Sequence, residues 1–209
     1  MDKKLGLIEK SLIFTAVIVL LMAFYSLYKL FILKASFGWG SVPIFDEIFS
    51  LIIIGAFYKY RKQLRLNSFT AIAGCIFILL HNIGSFGPYN YVFFNLVRYD
   101  KVLHFFGPFV LYMIIYDFTM QCTKSMHCLH KHKISLISLL AVLGVGAITE
   151  IIEYFVGFVY AGQGVGFFFF GAGDEGKWND TIWDLASNLL GSTTSAIVTW
   201  IIVWWKERN

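Results

Sequence analysis

Acidic and histidine side chains recur at helical spacing in the second half of the chain. Residues three or four apart on a helix lie on the same face, so each such pair presents its two side chains in one direction. The pairs are Asp100 with His104, Glu150 with Glu153, and Asp180 with Asp184, and Asn188 extends the last of them by a further turn. Three separate segments therefore each present polar groups on one face.

Carboxylates and imidazoles that converge from several helices can do three kinds of chemistry. They are the ligands of Zn, Mn and Fe in helix bundles, the partners in general acid–base catalysis, and the members of proton relays in membranes. We therefore expect a divalent transition metal as the cofactor, if the site has one. The expected metal ligands are Asp100, His104, Glu150 and Asp184; the expected catalytic carboxylates are Glu150, Glu153 and Asp180; and the other polar members of the site are Asp46, Glu47, His81 and Asn188.

Long apolar runs dominate the chain and indicate its class. Hydrophobic residues make up 58% of its 209 residues and charged residues 14%, against roughly 25% charged residues in a soluble domain. The runs are about 20 residues long, the length that a helix needs to cross a bilayer. We therefore expect an all-α polytopic membrane bundle, a single integral membrane domain over residues 1–209 with about six transmembrane helices. The expected spans lie near 11–33, 42–60, 67–86, 101–121, 134–159 and 181–204.

Two local features add detail to these spans. Asn67 precedes the third apolar run and is expected to cap its helix. Small residues on the last span, among them Gly191, Ser192 and Ser195, predict that this helix packs closely against a neighbour.

Basic residues predict the orientation, because short cytoplasmic loops carry an excess of Lys and Arg. One set of loop ends holds twelve Lys and Arg residues, and the other set holds five. The first set is Lys3, Lys4, Lys10, Lys59, Arg61, Lys62, Arg65, Lys124, Lys131, Lys133, Lys206 and Arg208, and the second is Lys29, Lys34, Arg98, Lys101 and Lys177. We expect a protein of the cell membrane, plasma or inner, with both termini in the cytoplasm. The first apolar run is too long for a signal peptide and is expected to remain as a span.

The ionisable residues within the spans are expected to lie at one depth. At a rise of about 1.5 Å per residue, His81, His104, Glu150 and Asp184 lie about 24 to 33 Å from the cytoplasmic face. The pair Asp46–Glu47 lies one turn into the second span. Ionisable groups at such a depth face the bundle interior or a water-filled cavity. The sequence therefore predicts one outward-facing polar site built from spans two to six.

A purely structural role is the main alternative for these residues. They would then pair with one another and with Arg98, Lys101 or Lys177 and hold the helices together. Acidic residues outnumber the basic ones near the expected outer ends, and close carboxylates repel one another unless a proton or a cation lies between them. This imbalance favours a site that binds a metal or shares protons.

Two motifs resemble a known family. Residues 99–105, Tyr-Asp-Lys-Val-Leu-His-Phe, resemble the Tyr-Asp-Arg/Lys-x-x-His-Phe signature of the YjdF-like bacterial inner-membrane proteins. Residues 173–185, with Gly-Asp, Trp-Asn-Asp and Trp-Asp-Leu, resemble their Gly-Asp-x-Trp-Asp…Asp-Met segment, although residues 175–177 are additional to that pattern. Residues 184–191 are also similar to the last helix of VanZ-like proteins, named for a teicoplanin-resistance protein. The resemblance covers about 99–195 and includes Asp100, His104 and Asp184, but it implies no particular reaction.

Three functions agree with these features. The first is an enzyme that acts on a lipid or lipid-linked envelope molecule at the outer leaflet. The second is a small transporter or proton-coupled carrier, which the lack of a detectable inverted repeat disfavours. The third is a non-catalytic resistance or envelope protein that binds an antibiotic or a lipid precursor. Membrane lipids are the expected partners. Nucleic acid is not an expected partner, because the basic residues behind the net charge of +4 are distributed according to the membrane topology. The sequence does not predict an oligomeric state.

Overall fold

The structure is a computed structural model that describes residues 6–33, 44–64, 67–86, 92–93, 97–123, 131–159 and 177–208. Within these ranges the chain forms six α-helices and one short antiparallel hairpin, in which Val92 pairs with Arg98 and Phe93 with Val97. The elements are α1 (Leu7–Phe31), α2 (Ile44–Leu64), α3 (Ser68–Ser85), β1 (Val92–Phe93), β2 (Val97–Arg98), α4 (Tyr99–Cys122), α5 (Lys131–Val159) and α6 (Lys177–Arg208).

Each of the six spans expected from the sequence overlaps one of these helices, and the all-α polytopic class is confirmed. Five helices are long and apolar enough to cross a membrane: α1, α3, α4, α5 and α6. The exception is α2, which carries Asp46 and Glu47 in its first turn and Arg61 and Lys62 in its last. That α2 also crosses the membrane stays a prediction. The hairpin was not predicted from the sequence.

Local hydrogen bonds explain where two of the helices begin. The side chain of Asn67 accepts a hydrogen bond of 2.8 Å from the backbone N–H of Thr70, which confirms the expected cap of α3. At the start of α1, the carboxylate of Glu9 accepts one of 2.8 Å from the backbone N–H of Gly6. Both bonds satisfy amide groups that have no partner within the first turn of a helix.

The fourth helix lies at the centre of the packing. It contacts α3, α5 and α6 and, at a few residues, α2, while α1 packs against both α2 and α3. One apolar core joins α1, α2 and α3 around Val19, Ile54 and Ile78. Another joins α4 and α5 around Tyr112 and Val142. The two groups of helices, α1–α3 and α4–α6, therefore meet where α3 contacts α4.

Polar and apolar side chains are distributed as in a membrane protein rather than a soluble one. Many large apolar side chains are exposed on the outer faces of the helices, whereas buried positions include many polar residues. The exposed set includes Phe14, Leu21, Phe24, Leu140, Ile148, Trp183, Leu190 and Trp200, and the buried polar set includes Ser26, Glu47, Asn82, Glu150, Asp184, Asn188 and Ser192. Lipid is the environment that makes such an outer surface stable.

The expected orientation can be tested with reporter fusions at the end of α6. Because Lys and Arg predominate on the loop ends shared with that terminus, alkaline phosphatase fused after Asn209 should be inactive and a cytoplasmic fluorescent reporter should be active. A phosphatase fused in the predicted external loop, between residues 160 and 176, serves as the positive control. An active phosphatase at Asn209 would contradict the orientation.

Candidate functional site

His104 lies at the centre of a cluster formed by α4, α5 and α6. Its Nε2 atom is 3.4 Å from Oδ1 of Asp100, which lies one turn earlier on α4. The same Nε2 is 3.6 Å from Oδ1 of Asp184 on α6. On the other side of the ring, Nδ1 is 3.3 Å from Oε1 of Glu150 on α5. One imidazole therefore faces three carboxylates from three helices.

Lys101 provides the positive charge next to two of these carboxylates. Its Nζ atom lies 2.9 Å from Oδ2 of Asp100 and 2.5 Å from Oδ1 of Asp184. The ammonium thus bridges α4 and α6 and contacts the same Asp184 oxygen that His104 approaches. We call Asp100, Lys101, His104, Glu150 and Asp184 the His104 cluster.

The cluster is largely shielded from solvent, and its degree of exposure differs between members. Glu150 and Asp184 are 2% exposed, while the side chains of Asp100, Lys101 and His104 keep 21%, 14% and 17% of their surface accessible. The three carboxylates face one ammonium and one imidazole. Coulombic interactions are strong in such a setting because little water screens them.

Close helix contacts bring the members of the cluster together. A Cβ atom added to Gly191 on α6 would lie 2.0 Å from the carbonyl oxygen of Phe105 on α4. Gly191 is seven residues, or about two turns, after Asp184, so it lies on the same face of α6. Phe105 directly follows His104. The absence of a side chain at Gly191 therefore lets α6 approach α4 closely enough for Asp184 to reach His104.

Asn188 completes the buried side of the cluster. Its Nδ2 donates a hydrogen bond of 3.4 Å to Oε1 of Glu150, and the hydroxyl of Ser192 donates one of 2.8 Å to its backbone carbonyl. Gly146 leaves the room that Asn188 needs, because a Cβ there would lie 3.0 Å from Nδ2. Glu150 is thus held between His104 and Asn188.

The predicted residues fall into two groups in the structure. The structure brings together five of them, whose roles in a site stay predictions: Asp100, His104, Glu150, Asp184 and Asn188. Asp46 and Glu47 instead form hydrogen bonds with α3 and α1, to Ser85 and Ser26. The side chains of Glu153 and Asp180 lie outside the described part of the chain, so their roles stay predictions.

His81 lies on α3. It is buried, and its ring lies 6.3 Å from that of Phe77. Its backbone carbonyl accepts a hydrogen bond of 3.3 Å from Ser85, whose hydroxyl also donates to Asp46. His81 is linked through Ser85 to Asp46, and its membership of one site with His104 stays a prediction.

Several residues of these two groups are not among the site residues predicted from the sequence. Lys101 was considered only as one of three ion-pair partners. The hydroxyl and amide residues around Asp46 and Glu47 were not considered, although Ser50 follows Asp46 by one turn on the same helix, a spacing that places both on one face. The residues missed in this way are Ser26, Ser50, Asn82 and Ser85.

Three residues of the cluster offer ligand atoms that lie close to one another. The donor atoms of Asp100, His104 and Asp184 all lie within 4.8 Å of one another. Ligands of a tetrahedral zinc ion, each about 2.0–2.2 Å from the metal, are roughly 3.3–3.6 Å apart, which matches the 3.4 and 3.6 Å from His104 Nε2 to the two aspartates. These three residues could hold a metal ion.

The helices and their apolar outer faces define a multi-pass α-helical membrane protein with a polar interior. The chain belongs to the DUF2238 family of predicted membrane proteins, whose family model matches residues 10–204. Neither a curated protein nor a solved structure matches the chain. The resemblance to YjdF-like and VanZ-like proteins stays a prediction.

Proposed function

We propose that this membrane protein binds a divalent transition metal at the His104 cluster and uses it to act on, or to bind, a lipid or lipid-linked envelope molecule. The observation that carries the proposal is the environment of the His104 ring. Its Nε2 faces Asp100 and Asp184 at 3.4 and 3.6 Å, while its Nδ1 faces Glu150 at 3.3 Å.

The two sides of the ring support two different roles. A histidine that binds a metal through one nitrogen commonly donates the other N–H to a carboxylate, which fixes the ring. Asp100, His104 and Asp184 are therefore the proposed ligands. Glu150 is better placed to orient His104 than to bind the metal, and Asn188 holds Glu150 in turn. In this proposal Glu150 orients His104, whereas the sequence led us to expect that Glu150 is itself a metal ligand.

Three protein ligands leave a coordination position for water or substrate, as in catalytic zinc sites. A metal in such a site acts as a Lewis acid toward carbonyl or phosphoryl oxygens, the groups at which lipid head groups are cleaved or transferred. Asp100 and His104 retain some exposed surface, so a head group can approach the ligands. The apolar outer faces of the neighbouring helices suit the acyl chains of such a molecule.

The metal content of variants tests the proposal. His104→Ala removes the one nitrogen ligand of the proposed set and should reduce metal retention by more than about 100-fold, beyond the range of outer-shell changes. Glu150→Gln keeps the ligands but weakens the orientation of the ring, so metal affinity should fall less, within the 10–100-fold range typical of outer-shell changes. Elemental analysis of the protein, purified in detergent without chelator and then incubated with Zn²⁺, gives both values.

His132→Ala is the matched control, because it removes an exposed histidine at the start of α5 and should leave metal content unchanged. Chelator should lower the melting temperature of the wild type and leave that of His104→Ala unaltered. A wild type that takes up no metal and melts at the same temperature with chelator would refute the metal site. Mass spectrometry of lipids that copurify with the wild type but not with His104→Ala tests the ligand class.

A further inference from the structure

A second buried polar group lies outside the His104 cluster, where α1, α2 and α3 meet. Asp46 and Glu47 of α2 are 5% and 0% exposed. Around them are hydroxyl and amide side chains, and we call the whole group the α2 carboxylate cluster. Its members are Asp46, Glu47, Ser26, Ser50, Asn82 and Ser85.

Among the described residues, the hydrogen-bond donors to each carboxylate are neutral hydroxyl groups. Oδ2 of Asp46 accepts a hydrogen bond of 2.6 Å from Ser85, and Oε1 of Glu47 accepts one of 2.7 Å from Ser26. Within the described residues neither carboxylate forms an ion pair. Two adjacent acidic groups are therefore buried together without a basic side chain to balance them, an arrangement that is costly unless a cation or protons neutralise it.

In the part of the chain that the structure describes, two buried oxygen atoms of this cluster accept no hydrogen bond. They are Oε2 of Glu47 and Oδ1 of Asn82, and both residues are 0% exposed. The orientation of the Asn82 amide is fixed, because its Nδ2 donates to the backbone carbonyl of Ile78 at 2.8 Å, a group that can only accept. Nδ2 also donates to Ser50 at 2.7 Å, and Ser50 is one turn from Glu47. Asn82 thus joins the cluster with its acceptor oxygen unused.

The α2 carboxylate cluster has more hydrogen-bond acceptors than donors, which indicates that a positively charged partner is missing. A buried acceptor without a donor destabilises the folded protein, and a further hydrogen-bond acceptor could not relieve it. A hard cation is the partner that suits unused oxygen atoms and that also balances the charge of the carboxylates. Carboxylate, amide carbonyl and hydroxyl oxygens without nitrogen or sulfur are the ligands that Ca²⁺ prefers.

We propose that the α2 carboxylate cluster binds a hard, oxygen-coordinated cation, with Ca²⁺ matching its two carboxylates in charge. The proposed ligands are Asp46, Glu47 and Asn82, and the hydroxyl oxygens of Ser26 and Ser50 complete the set. Bound there, the cation joins α2 to α1 and α3. This site is distinct from the His104 cluster, which offers an imidazole nitrogen and suits softer transition metals.

The melting temperature of the full-length protein in detergent tests this proposal. Samples in choline chloride receive CaCl₂, NaCl, MgCl₂ or KCl at matched ionic strength. A cation at about 100 times its dissociation constant should raise the melting temperature of the wild type by about 5–10 °C. We expect this shift from Ca²⁺ and little from Mg²⁺, which gives up its water reluctantly. A shift with Na⁺ alone would support the same oxygen site with a monovalent occupant.

Glu47→Gln should abolish the shift and leave the cation-free protein at least as stable as the wild type, because it removes an uncompensated charge while keeping the side-chain shape. Asp46→Asn is the second variant and should act in the same direction. Asp117→Asn is the control, since Asp117 bonds Asn67 and Thr70 at the other end of α3 and its loss should leave the shift intact. His104→Ala should also retain the shift.

Two results would overturn the proposal. One is a wild type whose melting temperature is the same in all five salts, which would mean that protons neutralise the carboxylates. The other is a cation-dependent shift that persists in both Glu47→Gln and Asp46→Asn, which would place the cation elsewhere. In that second case, loss of the shift in His104→Ala would assign the cation to the His104 cluster.

Discussion

Gly191→Ala is expected to destabilise the protein by about 3 kcal/mol, the upper part of the range for inserting a methyl group into a packed site. The added Cβ would lie 2.0 Å from the carbonyl oxygen of Phe105 and 2.8 Å from its carbonyl carbon. Both are backbone atoms, so no side-chain rotation can make room. The helices α4 and α6 must move apart instead, and Asp184 moves away from His104 with them.

Gly144→Ala is the matched control on α5. Nothing lies within 4 Å of a Cβ placed there, and alanine favours the helix over glycine by up to about 1 kcal/mol. Unfolding in detergent, followed by circular dichroism, should therefore show a large loss of stability for Gly191→Ala and none for Gly144→Ala. Metal binding at the His104 cluster should weaken only in the first variant. Equal stability of the two variants would show that the close approach of α4 and α6 is unimportant.

The sequence was sufficient to predict the class of fold, because few kinds of backbone structure can span a membrane. A chain in lipid must satisfy its backbone groups internally, so apolar runs of about 20 residues mark helices directly. The cap at Asn67 and the close packing of the last span were predicted for similar local reasons. The structure confirms both: Asn67 bonds Thr70, and Gly191 lies against Phe105.

The lateral arrangement of the helices could not be predicted in the same way. The rise per residue gives the depth of a side chain and the helical period gives its face, but neither says which helices are neighbours. Asp46 and Glu47 were accordingly assigned to one site with His104. In the structure α2 packs mainly on α1, and its carboxylates bond Ser26 and Ser85 instead.

The position of Lys101 is another feature that depends on packing. Its neighbour Asp100 was identified from the i,i+4 spacing with His104, whereas the contact of Lys101 with Asp184 joins residues 83 positions apart. Such a contact is fixed by the crossing of α4 and α6, which Gly191 permits. It also makes Lys101 the direct competitor of any metal bound by Asp100 and Asp184.

Lys101→Met should therefore raise the affinity for Zn²⁺ by at least about tenfold. The ammonium contacts Oδ2 of Asp100 at 2.9 Å and Oδ1 of Asp184 at 2.5 Å. The Asp184 oxygen is the one that faces His104, so a metal that binds it must displace the ammonium. Two unit charges about 4 Å apart interact by about 4 kcal/mol at an effective dielectric constant of 20, and the repulsion of a divalent ion is larger. Methionine keeps much of the length of the side chain and removes its charge.

The same substitution should lower the stability of the metal-free protein, because it leaves Asp100 and Asp184 without their counter-charge. Zn²⁺ should then restore the melting temperature of Lys101→Met, and should do so at a lower concentration than is needed to stabilise the wild type. Lys101→Arg retains the charge and should keep the weaker affinity of the wild type. Lys133→Met, at an exposed position on α5, should change neither property.

Titration of Zn²⁺ against a competing chromophoric chelator, together with melting curves, measures both effects on the same samples. The ion-pair alternative makes the opposite prediction: if Lys101 only joins α4 to α6, its loss destabilises the protein and Zn²⁺ does not reverse the loss. Unchanged or weaker Zn²⁺ binding in Lys101→Met would thus identify the His104 cluster as a structural ion-pair network. A gain in affinity that disappears when His104→Ala is added would show that the metal is bound by the cluster itself.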